Sequence, residues 1–112
     1  MYNYILSVSL FHLIFVVPTL LYVGFSGKNA NVNAYYALLF LGVLLFIHHL
    51  YGAFTNKSID INIMHLLFIA PAILYVGYMQ KDAMPYSYYY LIALGFTALY
   101  IHGGLLYNYL KG

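Results

Sequence analysis

The fold is decided by residues 12–54, HLIFVVPTLLYVGFSGKNANVNAYYALLFLGVLLFIHHLYGAF, which align without a gap on residues 65–107, HLLFIAPAILYVGYMQKDAMPYSYYYLIALGFTALYIHGGLLY. Sixteen of the 43 aligned pairs are identical, at a spacing of 53 positions. The identical pairs include histidine, proline, tyrosine and glycine as well as apolar residues. A shared apolar environment explains only the apolar matches, because each of the other residue types has a specific local role. The alignment therefore predicts two tandem copies of one unit, about 1–55 and about 56–112.

The composition is that of a membrane protein. The chain is 65% hydrophobic and 5% charged, with a mean hydropathy of +0.86, whereas about a quarter of the residues of a soluble domain are charged. Its apolar runs are about 20 residues long, which is enough to cross a hydrocarbon core of roughly 30 Å. We therefore predict an all-α integral membrane protein, with residues 1–112 forming a single transmembrane domain and the lipid bilayer as its partner.

Four transmembrane helices are predicted, at about 3–25, 34–54, 61–79 and 87–110. The connectors between them carry the turn-forming residues and the charges. Because each copy contains an even number of helices, the two copies run in the same direction and are related by an axis along the membrane normal. The predicted fold is a four-transmembrane-helix bundle of two tandem, parallel-related hairpin repeats, with the N- and C-termini on the same side. The lysines divide equally between the two sides, so the orientation and the membrane stay open.

Several functional classes are disfavoured by missing residue types. The chain has no arginine, glutamate or cysteine, so it cannot form arginine clamps, disulfides or thiolate metal sites. A net charge of +2 without a basic patch indicates no nucleic-acid partner. No carboxylate is expected near a histidine inside the spans, which makes Ser–His–Asp catalysis, and an enzyme in general, the less favoured interpretation.

Histidines mark the most informative positions. His12 and His65 follow the starts of the first and third predicted helices, and His49 and His102 precede the ends of the second and fourth. In the predicted topology all four lie at one depth, about five residues or roughly 8 Å inside the bundle. The additional His48 has no histidine counterpart in the second copy, and its participation stays open.

The second and fourth helices share the spacing Tyr-x6-Gly-x6-His. It occurs as Tyr35, Gly42 and His49 and as Tyr88, Gly95 and His102. Steps of seven residues keep these side chains on one stripe of a helix. A glycine on that stripe allows a neighbouring backbone or a flat ligand to approach closely.

Prolines add polar groups to the same region. Pro18 and Pro71 each lack an N–H and free the carbonyls of Ile14 and Leu67, within a turn of the histidines. A free carbonyl in hydrocarbon needs a new partner. We therefore expect a polar group or water inside the bundle.

The histidine layer predicts a bound cofactor, for which two candidates compete. A bare transition metal held by His12, His49, His65 and His102 would suit copper, zinc or nickel, but four nitrogens would have to converge to about 2 Å from the ion. Haem b needs only two imidazoles, and either His12 with His65 or His49 with His102 would supply them. We favour haem b over a metal ion, bound by the four histidines with Gly42 and Gly95, and hence electron transfer or redox sensing.

Two other functions stay open. In a structural or assembly protein the histidines would only link helices, at about 1 kcal/mol or less for each hydrogen bond. In a small channel or carrier they would relay protons, although the stripe beyond them is mostly glycine, leucine and phenylalanine. A bundle this small also leaves apolar helix faces uncovered, so a homo-oligomer stays open as well.

Overall fold

The computed structural model describes residues 4–55 and 59–112, apart from the side chain of Ile5. Four helices account for nearly all of them. Helix α1 consists of Tyr4–Phe11, His12–Val16 and Val17–Ser26; α2 is Val32–Phe54; α3 consists of Ile59–Met64, His65–Ile69 and Ala70–Met79; and α4 is Pro85–Lys111. The predicted all-helical bundle of four helices is confirmed, with boundaries within a few residues of those expected. The predicted first residue of the first span, about residue 3, and the predicted start of the second copy, about residue 56, lie outside the described residues.

Each helix is long and apolar enough to cross a membrane. The four candidate spans are Leu6–Asn29, Val32–Phe54, Ile59–Asp82 and Pro85–Lys111. Their outward faces carry large apolar side chains, among them Phe25, Phe54 and Tyr100, which are 67%, 81% and 83% exposed. Water would disfavour so much exposed apolar surface, so these faces suit contact with lipid.

The helices associate as two tight pairs, α1 with α4 and α2 with α3. Glycine makes each pair possible. A Cβ added to Gly24 of α1 would lie 3.0 Å from the carbonyl oxygen of Tyr88 in α4. A Cβ added to Gly77 of α3 would lie 2.9 Å from the backbone nitrogen of Leu39 and 3.0 Å from the carbonyl oxygen of Tyr35, both in α2. Glycine permits such backbone contacts between transmembrane helices.

The centre of the bundle is apolar and draws on all four helices. Leu20, Leu38, Ile73 and Leu91, one from each helix, are almost completely buried. These side chains belong to one buried cluster that includes residues from both helix pairs. Packing of this kind, together with hydrogen bonds between helices, holds transmembrane helices together in lipid.

Two π-helical turns interrupt α1 and α3 at matching places, His12–Val16 and His65–Ile69. In each, the N–H of the residue after the turn donates to the carbonyl of the histidine that opens it. Pro18 and Pro71 are the second residues of the α-helical segments that follow, and lie in their first turn. Proline disrupts the regular hydrogen bonds of the preceding turn, and single π-turns are a common response, frequently at functional sites.

Hydroxyl groups satisfy carbonyls next to the prolines. The Thr19 hydroxyl donates to the carbonyl of Phe15 at 2.7 Å, within α1. The Tyr90 hydroxyl donates from α4 to the carbonyl of Phe68 in α3 at 2.8 Å. Both acceptors lie one residue beyond the carbonyls of Ile14 and Leu67, and both hydrogen bonds are exposed at the surface of the bundle. The expected polar group or water inside the bundle stays a prediction.

The connectors after α1 and α3 are held by tyrosines. The hydroxyl of Tyr35 donates to the carbonyl of Gly27 at 2.5 Å, and that of Tyr88 donates to the carbonyl of Gln80. Both acceptor residues have the same unusual backbone, with φ 56° and ψ −130° at Gly27 and φ 56° and ψ −122° at Gln80. Only glycine adopts this conformation without strain, so Gln80 is strained.

We expect the substitution Gln80→Gly to stabilise the protein by about 1 kcal/mol, since strain at such a residue costs of order 1–3 kcal/mol and the greater freedom of unfolded glycine offsets part of it. The matched reverse substitution, Gly27→Gln, should destabilise by a similar amount. Thermal unfolding in mild detergent measures both. An unchanged or lower melting temperature for Gln80→Gly would contradict the assigned strain.

Candidate cofactor-binding site

The structure places the four predicted histidines together as two stacked pairs. The rings of His12 and His102 lie with centroids 3.9 Å apart and planes 16° apart. The rings of His49 and His65 lie 4.0 Å apart, also at 16°. The first stack joins α1 to α4 and the second joins α2 to α3, so each tight helix pair contributes one stack.

Two of the rings are held by a carbonyl of their own helix, which defines their tautomer. Nδ1 of His12 lies 2.8 Å from the carbonyl oxygen of Val8, and Nδ1 of His65 lies 2.8 Å from that of Ile61, in each case one turn earlier in the same helix. A carbonyl only accepts hydrogen bonds, so Nδ1 carries the proton in both rings. The neutral rings therefore have a lone pair at Nε2. A backbone carbonyl that holds Nδ1–H in this way is the usual support of a metal-ligating histidine.

His49 is held by a neighbouring helix instead. Its Nδ1 lies 2.7 Å from Oδ1 of Asn62, across the α2–α3 interface. Asn62 is buried, and it packs where Gly52 has no side chain, since a Cβ there would lie 2.6 Å from Nδ2 of Asn62. The contact fixes the orientation of His49 relative to α3.

The pair of α1 and α4 lacks the equivalent hydrogen bond. At the spacing of 53 positions, His102 aligns with His49, and Ser9 aligns with Asn62. Nδ1 of His102 and Oγ of Ser9 are both buried without a hydrogen-bond partner among the residues described. The hydroxyl oxygen of serine is bonded to Cβ, one bond nearer the backbone than the side-chain oxygen of asparagine, so Ser9 does not bond to His102 as Asn62 does to His49. A buried polar atom without a partner costs about 1–3 kcal/mol, so this side of the layer has hydrogen-bonding capacity that the described chain does not use.

The rings do not converge on a single point. Within residues 4–55 and 59–112, no group of three or more histidine, cysteine, aspartate or glutamate side chains is placed to hold a metal ion. The reason is geometric, since imidazole binds a metal through a lone pair in the ring plane, and the two rings of a stack lie in near-parallel planes with centroids 3.9 or 4.0 Å apart, so their lone pairs do not meet at one ion. The bare-metal alternative for His12, His49, His65 and His102 therefore gains no support from this arrangement.

Gly42 and Gly95 lie about two turns from the histidines and pack against leucines. A Cβ added to Gly42 would lie 2.6 Å from a methyl group of Leu74, and one added to Gly95 would lie 2.6 Å from a methyl group of Leu21. The structure thus gives both glycines a role in helix packing. Their additional role toward a cofactor stays a prediction.

His48 lies on the outer side of the layer. Its Nε2 is 3.2 Å from the hydroxyl of Tyr4, and its ring meets that of His49 edge-on with centroids 5.0 Å apart. Both histidines line a cavity of about 450 Å³ between α1 and α2. This volume lies within the range of small-molecule sites.

A second, apolar groove of about 280 Å³ shares Phe11 and Leu41 with this cavity and continues along the same two helices. Neither space was predicted from the sequence. The available signal was a difference between the aligned segments, where Ala37 is small and its counterpart Tyr90 is large. Comparison of the chain with known protein families, curated proteins and solved structures finds no match.

Proposed function

We propose that the chain is an integral membrane bundle of two tandem, parallel-related hairpins, with both termini on one side, and that it binds one haem b. Four apolar helices of spanning length support the membrane location. The sequence identity at a spacing of 53 positions supports the duplication. Paired π-turns, each opening on a histidine, give the two halves matching local structure at the candidate site.

His12 and His65 are the residues that would hold the haem. The observation that carries this assignment is the hydrogen bond from each Nδ1–H to a carbonyl of its own helix, which leaves Nε2 available. The two residues belong to different helix pairs, so a haem between the pairs would receive one ligand from each side. His102 and His49 would remain stacked on the ligand rings and support their orientation.

Haem held by two imidazoles supplies one-electron redox chemistry. The chain's own part is to orient the two rings, keep them neutral and surround the macrocycle with apolar side chains. Since two imidazoles of the chain would hold the haem, electron transfer or redox sensing is the function that this arrangement supports best.

The absorption spectrum of the purified protein tests the proposal. Protein prepared in mild detergent from cells supplied with haem and iron should be coloured, with a sharp band that shifts on reduction. Haemin added to a haem-free preparation should restore the same spectrum. Protein that stays colourless after both treatments would overturn the proposal.

A structural role is the second candidate, and the 2.7 Å contact between His49 and Asn62 favours it. Under this alternative the two stacks and this contact only align the helices. A direct proton relay within a stack is disfavoured, because a hydrogen bond between imidazoles lies in the ring planes and stacked rings present their faces to each other. Replacing the histidines distinguishes the structural role from haem binding.

A further inference from the structure

The space between α1 and α2 differs from the space between α3 and α4 at the aligned positions Ala37 and Tyr90. Between α1 and α2, Ala37 lines an open groove. Between α3 and α4, the counterpart position holds Tyr90, whose hydroxyl crosses to the carbonyl of Phe68. A phenol thus bridges α3 and α4 where α1 and α2 leave space.

On the side of the open groove, the corresponding carbonyl is that of Phe15, and its hydrogen-bond donor belongs to the same helix. Thr19 donates to Phe15 within α1, so no side chain from α2 is needed there. The counterpart of Thr19 is Ala72, which cannot make this bond. The combination of Thr19 with Ala37 therefore keeps the groove open without an unsatisfied carbonyl.

The end of the groove nearest the histidines is polar. Tyr4, Ser7, His12, His48 and His49 line the cavity there. The counterpart of His48 is Ile101, so the other side has no second imidazole at this place. The apolar continuation is lined by aromatic residues, including Phe15 and Phe40.

We propose that this groove binds an isoprenoid quinone, with the head group against His48 and His49 and the tail along Phe15 and Phe40. No lysine, arginine, aspartate or glutamate is among the lining residues, so a phosphate or carboxylate head would be buried without a counter-charge. Neutral imidazole and phenol both donate and accept hydrogen bonds. They therefore match the carbonyl or hydroxyl groups of a quinone or quinol.

The groove lies beside the proposed haem ligand His12, which also lines the cavity. A quinone there would be a lipid-soluble redox partner next to a redox cofactor. This redox role rests on the proposed haem, whereas the binding of the quinone does not. Binding can consequently be tested on haem-free protein.

The test is photolabelling of haem-free protein in detergent with an azidobenzoquinone that carries a ten-carbon chain, with the labelled peptides identified by mass spectrometry. We expect saturable labelling of α1 and α2 that an unlabelled quinone displaces. Ala37→Tyr, which copies the opposite side, should weaken binding about tenfold or more, the equivalent of losing roughly 1.4 kcal/mol. Val43→Tyr adds the same side chain at an exposed position of α2 outside the groove and should leave binding unchanged.

His48→Ile, which copies Ile101, is the second variant. It removes the head-group partner at an exposed residue, so folding should be retained, and it should also weaken binding about tenfold, as expected for a lost hydrogen bond of about 1.4 kcal/mol. Labelling that is equal in all three variants and the parent, or that spreads evenly over the four helices, would overturn the proposal. Equal displacement by a sterol or a long-chain alcohol would also overturn it and indicate a general lipid site.

A haem titration of the same preparations keeps the two proposals separate. Ala37 lies twelve residues from His49, so Ala37→Tyr should retain haem binding. Quinone labelling without haem binding would support the groove and count against the haem. Haem binding without saturable quinone labelling would leave the haem proposal standing and overturn this one.

Discussion

Replacing both His12 and His65 by alanine is expected to abolish haem binding, with a loss in affinity of at least about 100-fold. Each substitution removes an Nε2 lone pair that the structure leaves available. The matched variant, in which both His49 and His102 are replaced by alanine, should retain haem with a loss of about 10–100-fold, the effect typical of groups that support a metal ligand. Titration with haemin, followed by absorption, measures both affinities.

The control for this experiment is His48→Ala, which removes a histidine outside the two stacks and should bind haem like the parent protein. The melting temperature of each variant shows whether it is folded. Loss of haem in the His49 and His102 variant, with retention in the His12 and His65 variant, would reverse the ligand assignment. Equal retention in both, accompanied by lowered melting temperatures, would favour the structural role.

The helices could be predicted from the sequence because lipid permits few alternatives. A backbone in hydrocarbon must satisfy its own hydrogen bonds, so four long apolar runs imply four helices. The pairing of α1 with α4 and of α2 with α3 could not be predicted in the same way. The helices are apolar on nearly all faces, so their sequences do not show which face points inward.

The contacts made by two glycines likewise could not be predicted from the sequence. Gly24 and Gly77 stand near the ends of α1 and α3, where a glycine commonly serves to end a helix. The structure shows instead that each contacts the backbone of a neighbouring helix. The sequence does not distinguish a glycine that ends a helix from one that contacts a neighbouring helix. Only the position of the partner helix distinguishes the two roles.

The candidate site was partly predictable. The 53-residue alignment and the helix lengths were sufficient to predict that His12, His49, His65 and His102 lie near one another. Ring stacking and tautomer depend on side-chain torsions and on neighbours such as Asn62, which the sequence pattern does not encode. The prolines indicated disturbed hydrogen bonding, but a π-turn is only one of several ways in which a helix accommodates it.

The same substitution should have opposite effects at buried and open glycines. Gly77→Ala places a Cβ 2.9 Å from the backbone nitrogen of Leu39, closer than packed atoms tolerate, so α2 and α3 must separate. We expect a loss of about 1–3 kcal/mol, as for other overpacked sites. Gly104→Ala introduces a methyl group with no atom within 4 Å among the described residues and should stabilise α4 by about 0.5–1 kcal/mol, because glycine is a poor helix residue.

The substitution Gly24→Ala provides an independent check, because its added methyl group would contact α4 rather than α2. A Cβ at this position would lie 2.5 Å from Ile92 Cγ1 and 3.0 Å from the carbonyl oxygen of Tyr88, so its expected loss is also about 1–3 kcal/mol. The losses from Gly24→Ala and Gly77→Ala should add in the double variant, since they affect separate helix pairs. Thermal unfolding of the three single variants and the double variant in one detergent measures these differences. A neutral or stabilising effect of Gly77→Ala, equal to that of Gly104→Ala, would show that α2 and α3 are not in backbone contact, and the pairing of helices described above would then be wrong.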